Sequence, residues 1–126
     1  MDAVVLNINR FHIINDINGR AYGDSVLKII GAQIREQLED KSGIACRGDA
    51  DNFYIYLEHR DNYGEILRTI KDGVAERTGN DHIHIRMGVY SNADSGIPVE
   101  QRFDRAFRAS VNLKTGYRTL KTCLQK

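Results

Sequence analysis

The chain has little of several things whose abundance would name its partners at once. Neither sign of charge is in excess, with 18 lysines and arginines against 17 aspartates and glutamates in 126 residues. A nucleic-acid stripe or a membrane-surface patch needs a basic surplus on one face, so this balance argues against both and leaves small molecules or proteins as partners. No apolar run approaches the roughly 18 residues needed to cross a bilayer, so direct membrane contact is not expected from this segment and any anchor of a parent protein is expected elsewhere. Cysteine is scarce: Cys46 and Cys123 lie far apart with no signal-like segment. That favours reduced thiols, read as two buried small hydrophobes, in a cytoplasmic setting. Repeats, linkers and low-complexity tracts are missing too. One domain over residues 1–126 is therefore expected, and a chain of this length buries roughly two thirds of its unfolded surface without staples.

What is present is organised around Asn7 to Asp24. Val4, Val5, Leu6 and Ile8 read as a short buried strand running up to it. Phe11, Ile13 and Ile14 then carry a brief helical turn, and Asn15, Asp16, Gly19, Gly23 and Asp24 read as a tight polar bend, the kind of edge where α/β proteins place ligands. The strand begins within about four residues of Met1 without a preceding helix or cap, which predicts a fragment of a larger multidomain polypeptide.

Downstream, Val26, Ile29, Ile30, Ile34 and Leu38 fall at helical spacing between about Gly23 and Asp40. Ile44 to Arg47 and Phe53 to Leu57 read as a hairpin around Gly48 to Asn52, with two carboxylates at its tip. A second helix is expected from Asn62, as cap, to Arg77, weakened slightly by Gly73. His82 to Tyr90 alternates, with Ile83, Ile85, Met87 and Val89 facing a core and His82, His84 and Arg86 facing away. Ser91 to Pro98 reads as a loop, Val99 to Leu113 as a third amphipathic helix, and Thr119 to Leu124 as a last strand. The order strand, helix, strand, strand, helix, strand is that of an α+β, ferredoxin-like palm: a mainly antiparallel sheet with helices packed on one face. In such a sheet the exit near Asn7 faces the Asp49 to Asn52 tip, the layout in which carboxylates of adjacent strands hold divalent metals against a triphosphate.

At these residues the chain resembles the GGDEF (diguanylate cyclase) family. Asn7-Ile8-Asn9-Arg10-Phe11, Ile14-Asn15-Asp16, Gly19 and Gly23-Asp24 follow the pattern D-x-D-x-F-K-x-x-N-D-x-x-G-x-x-x-G-D. Arg47 to Phe53 falls where the family has R-x-G-G-[D/E]-E-F. Met87-Gly88-Val89 resembles its S-I-G-V strand, and Ala106 to Arg118 its closing A-D-x-A-L-Y-x-A-K-x-x-G-R. The leading D-x-L-T-G-L-x-N-R segment has no counterpart.

The resemblance implies a domain that joins two GTP molecules into cyclic di-GMP, with magnesium as cofactor and each protomer of a homodimer holding one GTP. On that basis Asn15 and Asp24 read guanine, an amide and a carboxylate matching its donor and acceptor edge. Backbone amides around Asn9 to Phe11 cradle phosphates, and Lys114 and Arg118 neutralise them. The metal-binding aspartate of the first strand is Asn7, a weak ligand, and Asp49-Ala50-Asp51-Asn52-Phe53 replaces the signature, leaving Asp51 as the residual acidic position. One carboxylate is too few to hold two metals, so no catalytic residue is expected. The family's product-inhibition motif has no match at Asp40 to Gly43.

Competing readings stand beside these. Asn15, Asp16 and Asn18 also suit caps and turns. Lys114 and Arg118 also suit a solvated helix end. Asp49 and Asp51 begin like a calcium loop that no glutamate closes, and His82 with His84 lacks a third zinc ligand. The resulting reading is a catalytically degenerate regulatory module of cyclic di-GMP signalling that binds GTP without turnover and modulates a linked EAL-type phosphodiesterase. An active cyclase and a nucleotide-free dimerisation or docking domain are the alternatives.

Overall fold

The computed structural model describes residues 1–40, 43–48, 51–80, 82–110 and 116–121, with the backbone alone described over 118–121. The first strand, β1 (Asp2–Ile8), is buried along its whole length. It is followed by α1 (Phe11–Asn18), α2 (Arg20–Gln37), β2 (Gly43–Arg47), β3 (Phe53–Leu57), α3 (Tyr63–Thr78), β4 (Ile85–Ser91), α4 (Val99–Ser110) and β5 (Gly116–Lys121). The strands form one sheet in the order β2-β3-β1-β4-β5. β1 is central and antiparallel to both β3 and β4, while β5 runs parallel to β4 at the far edge.

Strand alternation sorts the apolar side chains onto two faces. Val4, Leu6 and Ile8 pack with Met87 and Val89 against α2 and α3, where Val26, Ile30, Ile34, Ile70 and Val74 complete the main core. Ala3, Val5 and Tyr90 point the other way and are covered by Ala106, Phe103 and Phe107 of α4. Helices thus cover both faces rather than the single face expected. The reason is legible in β1, which is apolar at odd and even positions alike and needs shelter on each side. Gly88 makes the second face possible, because a Cβ there would lie 1.8 Å from the Ala106 carbonyl oxygen.

Other departures have local causes. The polar segment after β1 is an eight-residue helix rather than a turn and bend, since Phe11 and Ile14 pack on the core. The bend is confined to Gly19, whose φ of 87° few other residues tolerate, and α2 starts there, earlier than Gly23. Asn62 precedes α3 without a side-chain cap bond; its carbonyl instead accepts from the N–H groups of Glu65 and Ile66. Gly73 is the place where the buried Gln33 carboxamide lies, 2.5 Å from where a Cβ would sit. Cys46 is exposed rather than buried because β2 is an edge strand of the sheet, mostly open to solvent, and Cys123 lies outside the described residues. Val99 is also exposed, at the first turn of α4. Among the described residues, no helix is long and apolar enough to cross a membrane.

The start of β1 carries a buried acid. Asp2 accepts hydrogen bonds from the Tyr63 hydroxyl (2.5 Å) and from the N–H groups of Asn92 (2.7 Å) and Arg60 (3.3 Å), and pairs with His59 Nδ1 at 3.0 Å. Burial by itself would push this carboxyl up, but the donors together hold it below its ordinary value. The hydrogen bond to Asp2 and its charge push His59 up. Burial, and then the acid itself, raise the Tyr63 phenol. This hub ties β1 to the start of α3 and the exit of β4.

Candidate functional site

The opposite end of β1 opens onto the surface. β3 pairs with β1 so that Leu6 faces Phe53, which carries the two residues before Phe53 alongside Asn7 and Ile8. There the Ile8 N–H donates to Asp51 Oδ2 at 3.0 Å, and Asn7 Nδ2 reaches Asn52 Oδ1 at 3.4 Å. The Gly48 N–H closes the turn onto the Asn52 carbonyl at 2.8 Å. The strand exit and the hairpin tip are therefore neighbours, as the topology predicts.

On its other side β1 pairs with β4, and Asn7 stands directly opposite Arg86. Arg86 Nε donates to Asn7 Oδ1 at 2.6 Å, so the buried amide is held between a guanidinium and the hairpin. Beyond Ile8 the chain turns through Arg10, which adopts left-handed φ and ψ of 56° and 43°. The first turn of α1 has no side-chain cap; the Ile13 N–H bonds the Arg10 carbonyl at 3.0 Å, and the N–H groups ahead of it are the ones a helix start offers to solvent or to a ligand. The Asn9 N–H is not among these groups, because it bonds the His84 carbonyl at 2.8 Å and prolongs the ladder. Of the expected phosphate cradle, the Asn9 amide is thus already used.

Phe11 and Asn15 are one helical turn apart and meet Gly23 of α2. A Cβ on Gly23 would lie 1.9 Å from Asn15 Oδ1 and 3.1 Å from the Phe11 ring, so any larger residue there displaces the Asn15 side chain from its place between α1 and α2. Asn15 Oδ1 is buried and has no hydrogen-bond partner among the described residues. Such an orphan acceptor costs about 1–3 kcal/mol, and native structures tend to keep them at functional sites. Asp24 follows Gly23 on the exposed side of α2.

These residues border a cleft of about 670 Å³, which takes Phe11 and Asn15 from α1, Asp24 from α2 and Asp51 from the hairpin. A volume of this order suits a nucleotide-sized ligand. Four arginines, Arg10, Arg20, Arg47 and Arg86, line the same cleft against the two carboxylates of Asp24 and Asp51. A chain that is nearly neutral as a whole is locally basic here. The structure thus gathers Asn15, Asp24, Phe11 and Asp51 into one recess, with Asn7 behind it.

Other expected residues stand elsewhere. Asp49, Ala50 and Lys114 lie outside the described residues. Arg118 belongs to strand β5 rather than to a helix end, at the register of Gly88, because the turn at Gly116, with φ 89°, starts a strand ahead of it. His82 and His84 are exposed, and among the described residues no three His, Cys, Asp or Glu side chains are placed to hold a metal ion. Sequence reasoning missed the arginines. Arg86 had a signal: it stands where S-I-G-V has its serine, and antiparallel pairing of the strands sets that position against Asn7.

The donors beside β1 do not suit a divalent ion. Magnesium wants near-octahedral oxygen ligands with carboxylate charge. Here Asn7 Oδ1 is occupied by Arg86 and Asp51 Oδ2 by the Ile8 N–H. A divalent ion on Asn7 would sit about 4–5 Å from the guanidinium, a repulsion of roughly 7 kcal/mol at an effective dielectric constant near 20.

A family model described as the GGDEF domain of diguanylate cyclases matches residues 1–119. No curated protein matches the chain. Among solved structures, the active GGEEF domain of a diguanylate cyclase from Vibrio cholerae is similar at 21% identity and TM-score 0.77, over 97% of this chain and 83% of that one. An EAL/GGDEF domain protein from M. capsulatus is similar at 24% identity and TM-score 0.75, over 94% and 83% of the two chains. The S helix-GGDEF-EAL portion of Vibrio cholerae LapD, bound to c-di-GMP, is similar at 15% identity and TM-score 0.73, over 99% of this chain and 31% of that one.

Proposed function

This chain belongs to the GGDEF domain family of diguanylate cyclases, and from that premise we propose that it is a regulatory member of cyclic di-GMP signalling that binds GTP without turning it over. Asn15 and Asp24 read the guanine edge, with Phe11 beside the base and the cleft arginines meeting the phosphates. Arg118 and Lys114 are assigned to the phosphates as well.

The observation that carries this reading is the pairing inside one cleft. Guanine-reading groups sit together at α1 and α2, while the strand end where the family places a metal-binding aspartate holds Asn7 against Arg86. Recognition and metal activation are separable, because hydrogen bonds to a base edge need no charge on the first strand. Cyclisation in this family depends on magnesium held by carboxylates, and Asp51 is the residual one. Relatives that carry an EAL domain beside the GGDEF domain support coupling to a linked phosphodiesterase as the output.

Calorimetric titration with GTP tests the proposal, in magnesium and in EDTA. Binding in either buffer that is lost on Asn15→Ala and on Asp24→Ala, with no cyclic di-GMP in the reaction mixture by chromatography, is the expected result. Synthesis that vanishes on Asp51→Ala would make the domain an active cyclase. A thermal midpoint unmoved by GTP would reduce it to a nucleotide-free dimerisation or docking domain, since a ligand bound only by the folded state must raise that midpoint.

A further inference from the structure

We propose that the chain carries a second small-molecule site, between α2 and the hairpin of β2 and β3, for a ligand of nucleoside-monophosphate size that presents a planar ring and an anionic group. This site goes beyond the GTP reading and does not depend on it.

It follows from one face of α2. Leu27, Lys28, Gly31, Ile34 and Arg35 recur at three- and four-residue intervals, which sets them in a single stripe along the helix. β2 is the edge strand and is mostly open to solvent. Between stripe and strand lies a recess of about 410 Å³, with Phe53 in its floor and Arg47 at its rim. That volume falls in the range of small-ligand sites. Gly31 decides its shape. A Cβ there would lie 3.6 Å from Phe53 Cε1 and 4.0 Å from Arg35 Nη1, so an aromatic ring and a guanidinium meet beside a strip of helix that has no side chain of its own. A planar ring can lie flat on such a strip, and a guanidinium stacks readily on it.

The charge around the recess is of one sign. Lys28, Arg35 and Arg47 are exposed, and none of them forms an ion pair with a described residue. The described residues that line the recess include no carboxylate, amide or hydroxyl side chain. The cleft at the end of β1 differs, because there Asn15, Asp24 and Asp51 accompany the arginines. The recess can therefore recognise negative charge and a flat apolar surface, but it has no side chain with which to read the edge of a base. An acidic peptide would satisfy the cations without using the bare strip, so a small ring-bearing anion fits better. Leu27 and Arg47 line both recesses, and only residues outside the cleft can tell the two apart.

Calorimetric titrations of the protein with adenosine monophosphate (AMP), cytidine monophosphate and inorganic phosphate test the site. The two nucleotides should bind with similar affinity, and inorganic phosphate more weakly, since it leaves the strip uncovered. Lys28→Glu with Arg35→Glu should weaken AMP by about tenfold or more, because two attractive contacts become repulsive. Gly31→Leu fills the strip and keeps the charges, so it should weaken AMP and leave inorganic phosphate unchanged. Leucine favours a helix more than glycine does, and thermal midpoints check that both variants are folded. Asn15→Ala should bind AMP as the parent does. AMP should also slow alkylation of Cys46, which lines the recess. Absence of AMP binding, or an AMP affinity indifferent to the double variant or to Gly31→Leu, would overturn the inference and leave the GTP reading standing. Loss of AMP binding in Asn15→Ala would overturn it by moving the ligand into the cleft, and binding of polyglutamate but not of AMP would make this face a protein contact instead. A protein that binds AMP in this way and no GTP would keep this site and overturn the earlier reading.

Discussion

Two polar side chains are buried on β1, one at each end, and they do opposite work. Asp2 carries a full charge in the interior and is surrounded by donors from the residue after β4, from α3 and from the segment before α3. Asn7 carries no charge, lies buried between two residues that line an open cleft, Ile8 beside it in the strand and Arg86 across from it, and is held by one arginine and one hairpin amide. A buried carboxylate persists only when its lone pairs are used up, so the first end is closed and structural. The second end is polar but incompletely satisfied, with an orphan acceptor on nearby Asn15, and that is what a ligand needs. Within one strand, saturation of polar groups separates what holds the fold from what is available for chemistry.

The sharpest way to break this comparison is to truncate both ends. Asp2→Ala leaves several buried donors without an acceptor and should cost about 3 kcal/mol or more. In urea melts or calorimetry that corresponds to a midpoint lowered by roughly 10 °C in a domain of this size. Asn7→Ala should cost about 1 kcal/mol or less, with its effect appearing in nucleotide affinity instead. Equal destabilisation by the two changes would refute the distinction.

A smaller effect is expected from Gly23→Ala, which drives a methyl group into Asn15 Oδ1. The side chain can swing aside, so the fold should survive with a modest loss. GTP affinity should fall about tenfold, equivalent to roughly 1.4 kcal/mol, and titration of the variant beside Asn15→Ala checks whether the two losses coincide. Unaltered affinity would detach Asn15 from the ligand.

The smallest effect is electrostatic and belongs to the closed end. His59 is raised above 6.5 by Asp2, so its contribution to stability is full below pH 6.5 and is lost as the pH rises through the raised value. Asp2 is lowered below 3.8, so its contribution is present above pH 3.8 and is lost as the pH falls through the lowered value. The hub thus supports the fold best between those limits. His59→Gln should flatten the alkaline side of the midpoint-against-pH curve, by little, because His59 is 38% exposed and screened by solvent. Nucleotide affinity should be indifferent to the same substitution, and a loss of binding in His59→Gln would mean that the two ends communicate.

Much of the site was legible in the sequence. The resemblance brought Asn15 and Asp24 forward, where the residues alone read as a polar bend, and the order of the strands set the hairpin before Phe53 beside the end of β1; the structure places Asn15, Asp24 and Asp51 around one cleft. The arginines were missed, Arg86 in spite of its place in the S-I-G-V strand. Arg86 reads as an ordinary outward strand residue until the register with β1 is known, and Arg10, Arg20 and Arg47 come from three different elements. The exposure of Cys46 was hidden for a similar reason, since an apolar strand does not announce whether it sits at an edge.

Periodicity along the chain settled the succession of strands and helices, the long helices and the polar end of the first strand, because these follow from side chains a few positions apart. Pairing between distant segments settled the rest: helices on both faces, an acid sealed at one end, and an arginine set against an asparagine at the other. Those outcomes depend on which backbones lie side by side, and a hydrogen bond between Asn7 and Arg86, 79 positions apart in sequence, exists only once the sheet has formed.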